Sequence, residues 1–226
     1  MSTDRHAPAK PARRLRRDAQ RNRDILLAAA RAAFAEEGLE AALDGIARRA
    51  GLAIGTLYRH FPSRVDLIEA IFTTKIQMWI DAGERALAMD DAWEAFTFYL
   101  ERICELQAQD RGFNDLCSVR LSTSDQVEQA QARTQELSHR IVERAHAEGT
   151  LRPDVTAEDL AFLIWSHSSV TAATRAVAPR AWRRHLGLML DAFRAERAHP
   201  LPEPPLEPEE VRRAMLALGG SGPCGG

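Results

Sequence analysis

Apolar positions recur at intervals of three and four along nearly the whole chain, and no stretch alternates long enough to read as a strand. Ile25, Leu26, Ala29, Ala30, Ala33 and Phe34 form one stripe over 18–37, closed by Gly38. Two short helices follow, Leu43 to Ala50 and Gly55 to Phe61, with the turn glycine Gly51 between them. Pro62 cannot continue the second. Ser63 with Asp66 resembles a capping box, and it opens a long helix to Leu87 whose inner positions include Val65, Ile68, Phe72, Trp79, Ala82 and Ala86. Beyond it the pattern predicts helices at 91–109, 113–121, 125–148, 157–178 and 180–197, with Arg111-Gly112 as an interruption and Gly149 and Pro179 as stops. Thr156 with Asp159 reads as a further cap. A short terminal helix is expected at 209–218.

These elements predict an all-α fold: an N-terminal three-helix unit with a helix-turn-helix, then a larger helical bundle. The boundaries read as a disordered basic arm at 1–17, the helix-turn-helix unit at 18–72, the bundle at 73–198, and a Pro-rich linker, short helix and disordered tail at 199–226.

Composition narrows the class. With 226 residues and 45 % apolar content the chain has material for a core. No apolar run approaches the roughly 18–20 residues that span a bilayer. Three cysteines, Cys104, Cys117 and Cys224, show no metal-type spacing, so no metal or cofactor is expected and a reducing, cytoplasmic setting is. The net charge of −2 hides an asymmetry: residues 1–64 carry +6 and the remainder −8. A basic end on an acidic body suits a protein that presents that end to phosphates.

The third helix concentrates the chemistry. Gly55 lacks a Cβ and permits close approach of backbone to phosphate. Thr56, Tyr58, Arg59 and His60 bring hydrogen-bonding groups to one short element, while Leu57 and Phe61 point inward. Arg48 and Arg49 end the helix before it, Arg64 follows it, and Arg16 and Arg17 close the basic arm; all are candidate DNA contacts.

Ile46-Ala47, Ala50-Gly51, Gly55-Thr56-Leu57-Tyr58-Arg59-His60-Phe61 and Leu67-Ile68-Glu69-Ala70 together resemble the DNA-binding domain of the TetR family of transcriptional regulators. The resemblance covers about a quarter of the chain. It implies phosphate contacts from Thr56, Tyr58 and His60 and a base contact from Arg59. Gly45, Ala53 and Ile54 depart from the polar or small residues common in the family, which shifts the work of the third helix toward holding phosphates.

The same resemblance implies a homodimer on near-palindromic double-stranded operator DNA, with recognition helices about 34 Å apart, and a small-molecule effector. Repression is the family's usual mode. Ser169 and Ala173, with Trp182, Leu186, Met189, Leu190 and Phe193, are the candidate dimer surface. Met78, Trp79, Trp93, Phe96, Leu100, Phe113, Asn114, Cys117, Trp165 and His167 are the candidate ligand lining, suited to an apolar or aromatic effector. Glu136/His139 and Glu143/His146 have the Glu-x-x-His spacing of di-iron bundles but share one helix, opposite its apolar side, and read as a solvated face. No partner in a membrane is expected. A sequence-tolerant or ligand-independent DNA binder and a helical-bundle enzyme are the alternatives, the latter without a catalytic motif to support it.

Overall fold

The computed structural model describes residues 10–118 and 125–220. Among the described residues the fold is ten α-helices and one 3-10 turn, with no strand. The helices are α1 (Lys10–Glu37), α2 (Leu43–Arg49), α3 (Ile54–His60), α4 (Arg64–Leu87), α5 (Ala92–Gln109), α6 (Arg111–Ser118), α7 (Asp125–Ala147), α8 (Asp159–Thr174), α9 (Ala181–Phe193) and α10 (Pro208–Gly220).

Local chemistry accounts for most boundaries. The Ser63 hydroxyl accepts from the Asp66 amide at 3.2 Å, and the Asp66 carboxylate accepts from the Ser63 amide at 2.8 Å. That full capping box starts α4. Asp91 caps α5 through the Glu94 amide at 2.7 Å. Gly38, Gly51 and Gly149 all take positive φ where α1, α2 and α7 stop.

Two boundaries correct the sequence expectation. α1 begins at Lys10, so 10–17 continue the helix instead of forming a disordered arm. Ala, Arg and Leu are strong helix formers, and Pro11 falls in the first turn, where its missing N–H costs nothing. The break expected at Arg111-Gly112 falls one residue earlier: Asp110 ends α5 in extended backbone, α6 starts at Arg111, and Gly112 is where that helix touches α1 and α4. A Cβ on Gly112 would lie 2.9 Å from both Phe34 Cβ and Phe72 Cζ. The expectations for 1–9 and 221–226, and Leu121 as the end of α6, lie outside the described residues.

The core has two parts. The first joins α1, α2, α3 and the first half of α4 around Leu26, Phe34, Ile46, Leu57, Phe61, Leu67 and Phe72, and it takes in Leu106, Phe113 and Cys117 from α5 and α6. The second fills the bundle with Phe96, Tyr99, Leu100, Ile103, Ile141, Leu151, Leu163, Trp182 and Leu186. Trp79 and Ile164 touch both. α4 runs through the two cores, and Gly83 lets Leu137 of α7 come within 3.0 Å of where a Cβ would stand.

Part of the expected dimer stripe on α9 is turned into the chain's own core. Trp182 and Leu186 are only 8 % and 3 % exposed within the single chain, and Met189, Leu190 and Phe193 pack on the same core. Their spacing marked an apolar face, and that face packs against both α5 and α8 of the same chain. Ser169 and Ala173 are exposed on α8, with Phe162 48 % exposed on the same helix and Leu188 56 % exposed on α9.

Candidate nucleic-acid interface

α2 and α3 meet through a tight turn. The Leu52 amide donates to the Ala47 carbonyl and the Gly51 amide to the Arg48 carbonyl, both at 3.0 Å, with Gly51 at φ +67°. Neither helix has a side-chain cap, since Ala42 and Ala53 stand at the two N-cap positions. The first-turn amides of α3 therefore have no side-chain acceptor at the cap, and a helix N-terminus with unused donors attracts phosphate. Leu57 and Phe61 are buried and set the rotation of α3. That rotation leaves Tyr58 49 % exposed and Gly55 and Arg59 exposed, with Thr56 and His60 half-buried at the edge.

Arg59 is held along its own helix. Its Nε donates to the Gly55 carbonyl at 3.2 Å and its Nη2 to Thr56 Oγ1 at 3.3 Å. Three predicted contacts thus form one surface unit. Arg48 pairs with Asp44 at 3.2 Å, and Arg49 with Glu36 at 2.7 Å. The Glu36 hydrogen bond raises the Arg49 pKa, keeping the guanidinium firmly cationic. Arg16 and Arg17 lie on α1, Arg17 exposed.

Arg64 takes a different place from the one the sequence suggested. Its Nη1 donates to the Leu39 and Ala41 carbonyls, each at 2.7 Å. The guanidinium clamps the α1–α2 loop to the start of α4 and is half-buried in doing so. Nothing in the sequence pairs Arg64 with residues 23 and 25 positions earlier. Arg23 was also missed; its guanidinium sits 5.1 Å over the Phe61 ring, against the end of α3.

The interface is wired to the bundle through α6. Arg111 Nη1 donates to the Glu36 carbonyl at 3.3 Å, and the Leu39 amide donates to Asp115 Oδ2 at 3.3 Å. Burial raises the Asp115 pKa, and the Leu39 amide and Arg111 oppose the shift.

The expected ligand lining divides. Trp79, Phe113, Asn114, Cys117 and His167 gather where α4, α5, α6 and α8 meet. Trp93 and Phe96 meet in a tilted contact at 5.6 Å toward the far end of the bundle, and Phe96 meets Phe193 at 6.0 Å; Leu100 is fully buried in the same core. Met78 is exposed, and Trp165 sits edge-on to exposed Phe162 at 5.9 Å. The expected lining is therefore not one surface. At the central junction the side chains pack on one another. An open groove of about 280 Å³ lies elsewhere, between α5 and α9, lined by Phe98, Glu101, Trp182 and Leu186 among others.

A surface-exposed α3 behind a glycine turn, on the basic end of an all-α chain, defines a helix-turn-helix DNA-binding protein. Residues 26–71 match the family model described as bacterial regulatory proteins, tetR family, and residues 91–195 match one described as the C-terminal domain of SbtR-like transcriptional regulators. The TetR transcriptional regulator SCO0520 from Streptomyces coelicolor is 33 % identical, over 76 % of this chain and 98 % of that one, with a TM-score of 0.50. The ketosteroid transcriptional regulator KstR2 of Mycobacterium tuberculosis shares the fold at 21 % identity, over 76 % of this chain and 94 % of that one, with a TM-score of 0.58. An HTH-type transcriptional regulator of Staphylococcus aureus (strain USA300) is 36 % identical over 67 residues, 29 % of this chain. The chain spans about a third, 36 %, of the length of the curated relatives it matches. The chain belongs to the TetR family of DNA-binding transcriptional regulators. No helix among the described residues is long and apolar enough to cross a membrane.

Proposed function

We propose that the protein is a ligand-responsive repressor that binds a near-palindromic operator as a homodimer and leaves it when a small molecule enters the bundle. The observation that carries this reading is the direct tie between α6 and the end of α1 through Arg111 and Asp115. A displacement of α6 by an occupant of the bundle moves α1, and with it the Gly55–Thr56–Arg59 surface. In a dimer, a small change of that kind takes two recognition helices out of register with adjacent major grooves. The coupling needs only about 1–3 kcal/mol to change DNA affinity 5- to 150-fold.

The dimer surface we assign is the outer face of α8 and α9, with Phe162, Ser169, Ala173 and Leu188 exposed on it. Its small residues permit close helix approach, and Phe162 and Leu188 supply apolar area. On the DNA side we assign Gly55, Thr56, Tyr58, Arg59 and His60 as contacts, with Arg48, Arg49, Arg16 and Arg17 as flanking phosphate contacts. Arg64 acts as a positioning residue.

The test is a gel-shift and footprinting series on the DNA upstream of the gene. A protected palindrome and a steep loss of affinity with salt are expected. Wild-type affinity in the Tyr58→Ala, Arg59→Ala double variant would overturn the contact assignment. Protection without a palindrome would favour a sequence-tolerant binder.

A further inference from the structure

α4 changes partner part of the way along its length. Phe72, Lys75, Trp79 and Gly83 fall at i, i+3, i+7 and i+11, one stripe of the helix. The first three meet α6 or its start. The Phe72 and Trp79 rings lie 6.2 and 6.4 Å from that of Phe113, and Lys75 pairs at 3.3 Å with Asp110, the residue joining α5 to α6. Beyond Trp79 the helix meets α7. Leu137 comes within 3.0 Å of where a Gly83 Cβ would stand, and Glu84 pairs with Arg133 at 2.8 Å. The cores divide at the same place. Leu67, Ile68, Ile71 and Phe72 belong to the core of the DNA-reading head, Ala82 and Ala86 to that of the bundle, and Trp79 touches both.

Trp79 is shared between the two halves by its chemistry. Its ring packs edge-on to Phe113 of α6, and its indole Nε1 donates to Tyr99 Oη of α5 at 2.8 Å. An indole N–H only donates, so the Tyr99 oxygen accepts and its own hydrogen is free to go onward to α7. The distances favour one order: Tyr99 donates to Ser138 Oγ at 2.8 Å, and Ser138 to the Thr134 carbonyl at 3.0 Å. The reverse order would leave the phenol on the Thr134 carbonyl at 3.5 Å, the longer contact. Tyr99 is fully buried, and burial pushes its pKa up to about 12, so the phenol keeps its proton. Phenylalanine would fill the same space and break the chain at its centre.

We propose that Trp79 and Tyr99 are positioning residues for DNA binding, and that their hydrogen bond fixes the point on α4 about which the DNA-reading head is set against the bundle. α4 is the element that carries one core into the other, so a loose contact at Trp79 lets the head tilt. A tilting head must be ordered again when it docks on DNA, and that ordering lowers affinity. This role needs only DNA binding and no effector.

The experiment uses the full chain and a duplex that the wild-type protein selects from a random pool. Fluorescence anisotropy is read well below the melting temperature of each variant. Tyr99→Phe and Trp79→Phe are each expected to bind about threefold or more weakly than wild type, and the double variant no more weakly than the worse of the two, because both remove one interaction. Val155→Ala is the control. It deletes buried volume from the bundle core near the Arg152–Phe193 backbone hydrogen bond, and is expected to lower the melting temperature with DNA affinity unchanged. A smaller loss in either single variant, losses that multiply in the double variant, or an equal loss in Val155→Ala overturns the proposal. A wild-type chain that selects no duplex overturns it as well. If Tyr99→Phe does not fold, the comparison of Trp79→Phe with Val155→Ala decides.

Discussion

Gly55→Ala separates the needs of the fold from the needs of DNA. A Cβ at Gly55 meets no atom within 4 Å, and the residue already has ordinary helical backbone with negative φ. Alanine is favoured over glycine by about 0.8–1 kcal/mol inside a helix. Gly55 is the second residue of the seven-residue α3, so we take roughly half to all of that. For a chain of this size, about 2–4 °C accompanies each kcal/mol. The variant is therefore expected to melt about 1–4 °C higher. On DNA the sign reverses. The new methyl stands at the exposed N-terminal turn of α3, where uncapped amides face solvent. Losing one amide–phosphate hydrogen bond costs about 1.5–3 kcal/mol, or roughly 10- to 150-fold in affinity. Calorimetric melting and anisotropy titration at fixed salt measure the two effects on one preparation. A stabilised variant with unchanged DNA affinity refutes close phosphate approach at Gly55. A destabilised variant refutes the reading of open space beside it.

Other substitutions probe the joints. Gly112→Ala places a methyl against Phe34 and Phe72 and within 3.1 Å of the Phe34 carbonyl; a net loss of about 1–2 kcal/mol is expected after the helix-propensity gain, and an unchanged melting temperature would show that the α6–α1 contact yields freely. Arg64→Ala removes two hydrogen bonds from a half-buried guanidinium, so melting should fall by roughly 4–8 °C, about 2 kcal/mol, with DNA affinity falling less than in Gly55→Ala; the reverse ranking would restore Arg64 as a DNA contact. Burial lowers the His167 pKa to about 4. The unfolded chain takes up a proton near its ordinary value while the folded chain does not, so stability should fall as pH drops from about 6.5 toward 4, by roughly 2–3 kcal/mol. Urea midpoints for wild type and His167→Gln that run parallel across that window would refute the assignment.

How far the sequence could be read depended on the range of the interaction. The capping box of Ser63 and Asp66, the glycine stops and the inward Leu57–Phe61 pair are local, and their positions follow from spacing alone. Arg64 could not be placed, because its partners are carbonyls of a loop that only the tertiary fold brings near. The α9 stripe shows a related limit: periodicity reveals that Trp182 and Leu186 share an apolar face but not whether α5 or another chain covers it. Helix α1 starts earlier than expected because 10–17 carry no apolar periodicity, while their Ala, Arg and Leu content favours helix.

Phe113 and Cys117 belong to the core that holds α1, α2 and α3 together, although the chain supplies them some 40 residues beyond it. The reading head is thus not a cassette. Cut after α4, it would expose Phe34 and Phe72 where α6 had covered them. Anyone grafting this head onto another sensor must carry α6 across with it, or find in the new sensor a helix with a glycine where Gly112 stands and an aromatic ring to follow. The seam between the two halves, in engineering terms, runs through the middle of a core and not along a linker.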